Sequence, residues 1–309
     1  MEKFLTVAKV IVPIFFTVFM GVLARKRGTL SSAEVHGMQR FAVKFCCPCL
    51  IFRSCLTASI GAEALGSMAL LPPFLLVCTF WSFWMRKEKM PYHNLPYLFC
   101  CKETGLMGLP LFIILFGADQ VYRMGVLDIA QAVTGYSVLA ILSADTGSDA
   151  SVKGIVKEML KSPLIILSVL GLVLNLSGIW GWLSSVGIGG IVEESLGFIS
   201  QPVSAVMLFC VGYNFSLDRE SRADVMRICV LHTSIFAVIG IAIQGLLFFV
   251  PGVDALTRWA MALFCALPTS YLAPGLGRKE QDCVVASGVC SIQTLVCLAV
   301  FCVMAVFVA

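Results

Sequence analysis

Apolar residues are gathered along this chain into ten long runs, and most of the charged residues lie in the short stretches between them. The runs cover residues 4–24, 38–58, 65–85, 95–116, 124–143, 162–180, 194–215, 228–250, 256–275 and 283–308. A helix needs about 20 apolar residues to cross a bilayer. The pattern therefore predicts ten transmembrane helices, with residues 152–160 forming a short helix on the membrane surface.

Lysine and arginine residues concentrate in alternate loops between the runs. These basic loops contain Arg25, Lys26 and Arg27; Arg86, Lys87 and Lys89; Lys153, Lys157 and Lys161; Arg219, Arg222 and Arg227; and Arg278 and Lys279. Basic loops tend to remain in the cytoplasm. The alternation therefore predicts that both termini lie on the extracytoplasmic side of the cell's inner, or plasma, membrane.

The composition is typical of a polytopic, all-α membrane protein. Hydrophobic residues make up 59% and charged residues 13% of the 309 positions, which is more apolar surface than one soluble core could bury. The formal net charge of +4 is too small to indicate a nucleic-acid partner. The composition instead predicts the lipid bilayer as the partner.

A set of proline and glycine landmarks recurs in the two halves of the chain. Pro13, Gly21, Gly28, Pro48 and Pro110 correspond, in order, to Pro163, Gly171, Gly178, Pro202 and Pro268. We interpret residues 1–160 and 161–309 as two five-helix units. Because five is odd, the second unit would be inverted in the membrane, as in many transporters. The alternative is a chance match, since both residue types are common in membrane helices.

The fourth and ninth runs are interrupted by residues that a simple membrane anchor would not contain. Irregular backbone at membrane depth must be buried in protein or line a cavity. Broken helices of this kind bind substrate in transporters, and their N-terminal amides favour a carboxylate. The predicted substrate-binding residues are Glu103, Thr104, Gly105, Pro110, Pro268, Thr269 and Ser270. The alternative is a proline-kinked packing helix in which Lys102 snorkels to the membrane surface.

Four segments together resemble the auxin efflux carrier family, in particular its bacterial branch for malate-type organic acids. They are residues 103–111, 161–178, 200–214 and 266–269. The resemblance implies a scaffold of helices 1, 2, 6 and 7. It also implies a transport domain of helices 3–5 and 8–10, in which the broken helices 4 and 9 cross. Bacterial members are associated with malate and related acids, plant members with auxin. The family pattern usually has asparagine where this chain has Glu103, which suggests a titratable site.

Glu103 is predicted to couple proton movement to transport. Asp128 and Gln131 are three residues apart on the fifth helix, so they share a face that could point at Glu103. We predict that Asp128 assists the coupling and that Gln131 and Lys102 support the site. The alternative for Asp128 and Gln131 is a helix-packing hydrogen bond.

Several other polar residues lie within or near the apolar runs. We predict that Gln201 and Asn214 support the site, although intramembrane amides, Asn175 and Gln293 included, more often join helices. For Arg40 and Lys44, one helical turn apart, the favoured interpretation is snorkelling to the membrane surface.

The fourteen cysteines include a Cys-x-x-Cys within residues 46–49. Nearly all of them sit inside apolar runs, where cysteine acts as a small hydrophobic residue. The three histidines, His36, His93 and His232, have no metal-ligand spacing. We therefore predict no metal site, no cofactor and no enzymatic activity.

These features predict a secondary active transporter of a small organic anion, either a dicarboxylate or an auxin-like monocarboxylate. Elevator-type alternating access is expected, with a proton or sodium ion as the coupling ion and a homodimer as the assembly. The alternative is a membrane sensor or interaction protein that keeps the fold and binds a ligand without translocating it.

Overall fold

The computed structural model describes residues 2–58, 62–144, 161, 163–215 and 222–308. Within these ranges the chain is almost entirely helical and has no strands. The predicted surface helix at 152–160 lies outside the described residues. So do three basic loop residues, Lys153, Lys157 and Arg219, and the two terminal residues, Met1 and Ala309.

Seven helices lie in the described residues of the first half. They are α1 (Glu2–Arg27), α2 (Ser32–Phe41), α3 (Cys47–Leu56), α4 (Ala62–Glu88), α5 (Leu95–Cys100), α6 (Leu109–Phe116) and α7 (Tyr122–Ala144). A π-helical turn, Ala42–Cys46, joins α2 to α3 just before Pro48, whose missing N–H would interrupt a regular α-helix. A second π-helical turn, Thr104–Gly108, leads into α6.

The described part of the second half also contains seven helices. They are α8 (Pro163–Leu176), α9 (Ile179–Ser185), α10 (Ile188–Ser200), α11 (Val203–Asn214), α12 (Arg222–Leu247), α13 (Ala255–Ala266) and α14 (Glu280–Val308). A turn at Gln201 and Pro202 separates α10 from α11. The segment after α13 is extended and then forms a 3₁₀ turn, Ala273–Leu276.

Helices occur at all ten predicted runs, but fewer are long enough to cross a membrane unbroken. By length and composition, five described segments qualify: Val7–Arg27, Ala69–Glu88, Ile188–Asn214, Arg222–Leu247 and Glu280–Val308. A sixth is added if α8 and α9, which meet at a bend of 74°, form one span. The protein is thus a multi-pass membrane protein, and ten crossings remain a prediction.

The helical bundle is apolar outside and carries polar groups inside. Large apolar side chains such as Phe80, Ile241 and Phe249 are at least three-quarters exposed, at 77%, 75% and 81%, as expected where lipid covers them. By contrast, Lys102 and Glu103 are buried. Charged groups at such positions are rare in membrane proteins and mark functional sites.

Helices α1 and α11 approach each other closely at a pair of glycines. A Cβ atom on Gly21 would lie 2.1 Å from the Phe209 carbonyl oxygen, and one on Gly212 would lie 1.9 Å from the Val18 carbonyl oxygen. Only glycine fits this contact. Past it, the Arg25 guanidinium donates to the Phe215 carbonyl over 2.9 Å, at the end of α11.

Helices α3 and α8 make a matching contact, which also joins the two halves of the chain. A Cβ on Gly171 would lie 2.8 Å from the Cys55 Cβ, and the Asn175 amide donates to the Cys55 and Ala58 carbonyls over 2.9 and 2.7 Å. Gly171 and Asn175 stand 150 positions after Gly21 and Arg25.

The ends of α1 and α8 match at the same interval. Gly28 and Gly178, also 150 positions apart, both have positive φ values, of 62° and 75°, which glycine adopts at little cost. These parallels agree with the predicted repeat. The inverted layout of the two units stays a prediction.

Candidate functional site

Two interrupted helical segments are paired through their breaks. Helix α5 ends at Cys100 and α13 ends at Ala266, and the extended segments that follow run antiparallel, with Lys102 opposite Thr269. The Glu103 amide donates to the Pro268 carbonyl over 2.9 Å, and the Ser270 amide donates to the Cys101 carbonyl over 3.0 Å. The backbone groups of each break therefore form hydrogen bonds with those of the other break, as backbone groups buried at membrane depth require.

The residue at the middle of each break is held by a glutamine from the next long helix. Gln131 of α7 accepts from the Lys102 amide over 2.8 Å and donates to the Lys102 carbonyl over 3.0 Å. Gln293 of α14 accepts from the Thr269 amide over 2.7 Å. Gln131 was predicted to support the site, and the structure shows it bound to the backbone of the first break; its role stays a prediction. Gln293 was interpreted as joining helices, and its only signal in the sequence is an amide within an apolar run.

The Glu103 carboxylate lies between the π-helical turn that leads into α6 and the turn that follows the second break. Its relative exposure is 9%. Oε1 accepts from the Leu106 amide over 3.1 Å, and Oε2 accepts from the Tyr271 amide over 2.7 Å. These amides were expected to receive the carboxylate of the substrate. In the structure the chain's own carboxylate takes them, because Glu103 is the N-cap of the turn that leads into α6.

Asp128 faces Thr104 rather than Glu103. The Thr104 hydroxyl donates to Asp128 Oδ1. The Gln131 side-chain amide donates to the same oxygen over 2.8 Å and to the Thr104 hydroxyl over 3.1 Å. Asp128, Thr104 and Gln131 thus form one hydrogen-bonded cluster, which links α7 to the break.

Lys102 points to the opposite side of the paired breaks. Its ammonium donates to the Leu267 and Cys265 carbonyls over 2.9 and 3.3 Å, at the C-terminal end of α13. It also lies 3.3 Å from His232 Nε2 and 3.5 Å from the centroid of the Phe236 ring. Helix C-terminal carbonyls and an aromatic face both stabilise a cation. With a relative exposure of 3%, Lys102 does not snorkel, so that alternative is wrong.

The remaining predicted site residues fall in three groups. Pro268 and Thr269 lie in the second break, with Thr269 fully buried. Pro110 does not mark the first break, because it lies in the first turn of α6, where proline is tolerated, and the break precedes it at residues 101–103. Gln201 is exposed in the turn before α11, and Asn214 ends that helix.

Two adjoining cavities, each of 400 Å³, lie against the Glu103 side of the paired breaks. Both are bordered by Glu103, Gly105, Ser270, Leu272, Val43 and Lys44. The first cavity extends to Asp128, and the second extends to His36 and Arg40. Gln201 and Asn214 border neither cavity, so the structure does not bring these two predicted residues to the site.

The basic wall of the second cavity was not predicted. His36, Arg40 and Lys44 follow one another at intervals of four residues, which places them on one face of a helix. They are exposed, and Arg40 and Lys44 border the cavity beside Glu103. The spacing was visible in the sequence, but snorkelling was the simpler interpretation of two basic residues near a membrane surface.

The comparison with known protein families bears on this arrangement. Residues 6–154, which include the first break, match the family model described as membrane transport protein. Over these residues the chain is similar to the auxin efflux carrier family. That family consists of membrane transporters. No curated protein matches the chain.

The match confirms the resemblance that the motif around Glu103 indicated. The malate-type branch is a finer assignment and stays a prediction. The described residues contain no group of three or more potential metal ligands, and all fourteen cysteines are free thiols.

Proposed function

We propose that the protein is a secondary active transporter that moves a small organic acid beside Glu103 and couples this movement to protons. The observation that carries the proposal is the position of the Glu103 carboxylate. It is held by amides from both interrupted helices, Leu106 of one and Tyr271 of the other, and borders two cavities. A change in its charge would therefore act on both broken helices and on the bound molecule.

The proposed binding mode places the carboxylate of the substrate near Arg40 and Lys44. Both cations border the second cavity, and Lys44 borders the first as well. An ionised Glu103 would repel an anion bound there, and a protonated Glu103 would not. Proton binding and anion binding would then favour each other, which is the linkage that a symporter needs. Asp128, in the neighbouring hydrogen-bonded cluster, is the second titratable group of the site.

A proton suits the coupling role better than sodium. The carbonyls at the end of a half-helix are typical sodium ligands in transporters. At the end of α13 the Cys265 and Leu267 carbonyls bind the Lys102 ammonium instead. A cationic side chain thus already fills this position.

The proposed movement is that of an elevator. In the numbering of the ten predicted membrane helices, helices 3–5 and 8–10 slide as a transport domain past helices 1, 2, 6 and 7. One contact that would have to break joins Ser54 of α3 to the turn before α7. The Ser54 hydroxyl donates to the Asp119 carbonyl and accepts from the Tyr122 amide, both over 2.9 Å. We further propose that the transporter works as a homodimer in the plasma membrane.

The test is counterflow in proteoliposomes, with a probe acid chosen by thermal-shift screening of organic acids, since a ligand of the folded state raises apparent stability. Glu103→Gln imitates the protonated side chain. We expect it to retain counterflow and to lose the dependence of its rate on pH, while Glu194→Gln, at an exposed position on α10, behaves as wild type. Binding without counterflow in the wild type would instead identify a ligand sensor.

A further inference from the structure

The charged side chains that border the two cavities come from different parts of the chain. Arg40 and Lys44 belong to the segment that includes α2 and the turn before α3, whereas Glu103 and Asp128 belong to the first break and α7. Among the described residues, no lysine or arginine nitrogen lies within 4 Å of either carboxylate. The cavities are therefore bordered by two cations and by two carboxylates that have no ionic partner within this distance.

The two carboxylates differ in what they can still bind. Glu103 accepts one backbone amide on each oxygen. Asp128 receives both of its hydrogen bonds, from Thr104 and Gln131, on Oδ1. A carboxylate has about four acceptor positions, so the Oδ2 side of Asp128 is the larger unused acceptor. Asp128 is also partly exposed, whereas Glu103 is buried.

We propose that the substrate carries a cationic amino group as well as its carboxylate, so that it is a zwitterion of the amino-acid type. Its carboxylate lies in the cavity bordered by Arg40 and Lys44, and its ammonium group lies in the adjoining cavity against Asp128. A plain anion would leave Asp128 uncompensated. This inference rests on the proposed function, which requires only that the substrate be an organic acid.

The size of the site agrees with such a ligand. The two cavities of 400 Å³ adjoin along Lys44, Glu103 and Ser270, and pockets for small molecules commonly measure about 300–1,000 Å³. Glu103 lies on the shared border, between the two proposed ends of the substrate. The proton on Glu103 would relieve the repulsion of the carboxylate end and leave Asp128 ionised for the ammonium end.

The experiment compares acids that differ only in the amino group. Wild-type protein in proteoliposomes is tested for uptake of alanine against propionate, aspartate against succinate, and tryptophan against indole-3-propionate. A hydrogen bond between charged groups contributes favourably to the free energy of binding. We therefore expect uptake of the amino acid to exceed that of its partner by about tenfold or more in at least one pair. The preference should fall to near unity in Asp128→Asn but remain in Glu194→Gln.

The outcomes separate the two claims. If every transported pair shows equal or faster uptake of the acid that lacks the amino group, the zwitterion proposal is wrong and the proposed transport of an organic acid stands. If no acid of either kind is taken up, the proposed function fails as well. The wild-type comparison decides the matter even if Asp128→Asn does not fold. In a folded Asp128→Asn, an undiminished preference would also overturn the proposal.

Discussion

The Tyr271 amide donates a hydrogen bond of 2.7 Å to the Glu103 carboxylate, across 168 positions of the chain. This bond joins the ninth predicted run to the fourth at the level where both are interrupted. An acidic side chain thus occupies the N-terminal end of a half-helix, which is the place where an anionic ligand would bind in its absence. The carboxylate at this place is therefore supplied by the chain itself.

The two glutamines that hold the breaks should be important for stability. Gln131→Leu and Gln293→Leu each remove the acceptor of a buried backbone amide, at Lys102 and Thr269. An unsatisfied buried donor costs about 1–3 kcal/mol, so both variants should melt at lower temperature in detergent and transport more slowly. The control is Gln281→Leu, at an exposed position near the start of α14. Melting temperatures equal to that of the control would contradict the role of the glutamines.

The contact between α1 and α11 should not tolerate a methyl group. Gly21→Ala and Gly212→Ala place a Cβ about 2 Å from a carbonyl oxygen of the facing helix. The helices would have to separate, and we expect poor yields of monodisperse protein. Gly37→Ala is the matched control, because a Cβ there meets nothing within 4 Å, and alanine in a helix is favoured over glycine by about 1 kcal/mol. Size-exclusion profiles that were alike for the three variants would disprove the close contact.

An ion pair near the start of α13 should make stability depend on pH. Arg123 donates to Asp254 over 2.6 Å, and the Thr257 amide donates to the other carboxylate oxygen over 2.8 Å. Burial acts to raise the pKa of Asp254, but the Thr257 hydrogen bonds and the Arg123 charge outweigh it and lower the pKa below its usual value. The ionised form therefore stabilises the fold at neutral pH, and this stabilisation is lost as the pH falls through the lowered pKa.

Asp254→Asn tests this contribution. The variant should melt at lower temperature than wild type at pH 7, and the difference should shrink at acidic pH, where wild-type Asp254 is also neutral. Since the Asp254 side chain is 41% exposed, solvent screens the pair and the effect should be modest. A difference in melting temperature that is the same from pH 7 to pH 3 would show that charge is not involved.

Much of the arrangement could be predicted from local patterns, and the rest depends on contacts between distant segments. Charged residues within an apolar run mark the first break, and Pro268 lies in the second. Pro110 was misleading because proline both breaks helices and begins them. The binding of Glu103 to the Tyr271 amide could not be foreseen, since nothing in either segment specifies which half-helix end faces which side chain.

The basic wall shows a second limit of sequence reasoning. Arg40 and Lys44 have the spacing of a helix face, but the pattern does not say whether that face meets lipid headgroups or a cavity. Gln201 and Asn214 show the reverse. Their polarity within an apolar run suggested a place at the site, but neither residue borders the two cavities. Interrupted helices also hide membrane crossings, because each half is too short to qualify as a membrane span by itself.

The most direct test of the central claim is to measure proton movement that depends on substrate. Proteoliposomes that contain a pH-sensitive dye are given the transported acid at equal pH on both sides. The account predicts that wild-type protein acidifies the lumen as the acid enters, and that Glu103→Gln shows no proton movement although its counterflow continues. Proton movement of wild-type size in Glu103→Gln, at an equal rate of substrate uptake, would contradict the claim that Glu103 carries the coupled proton.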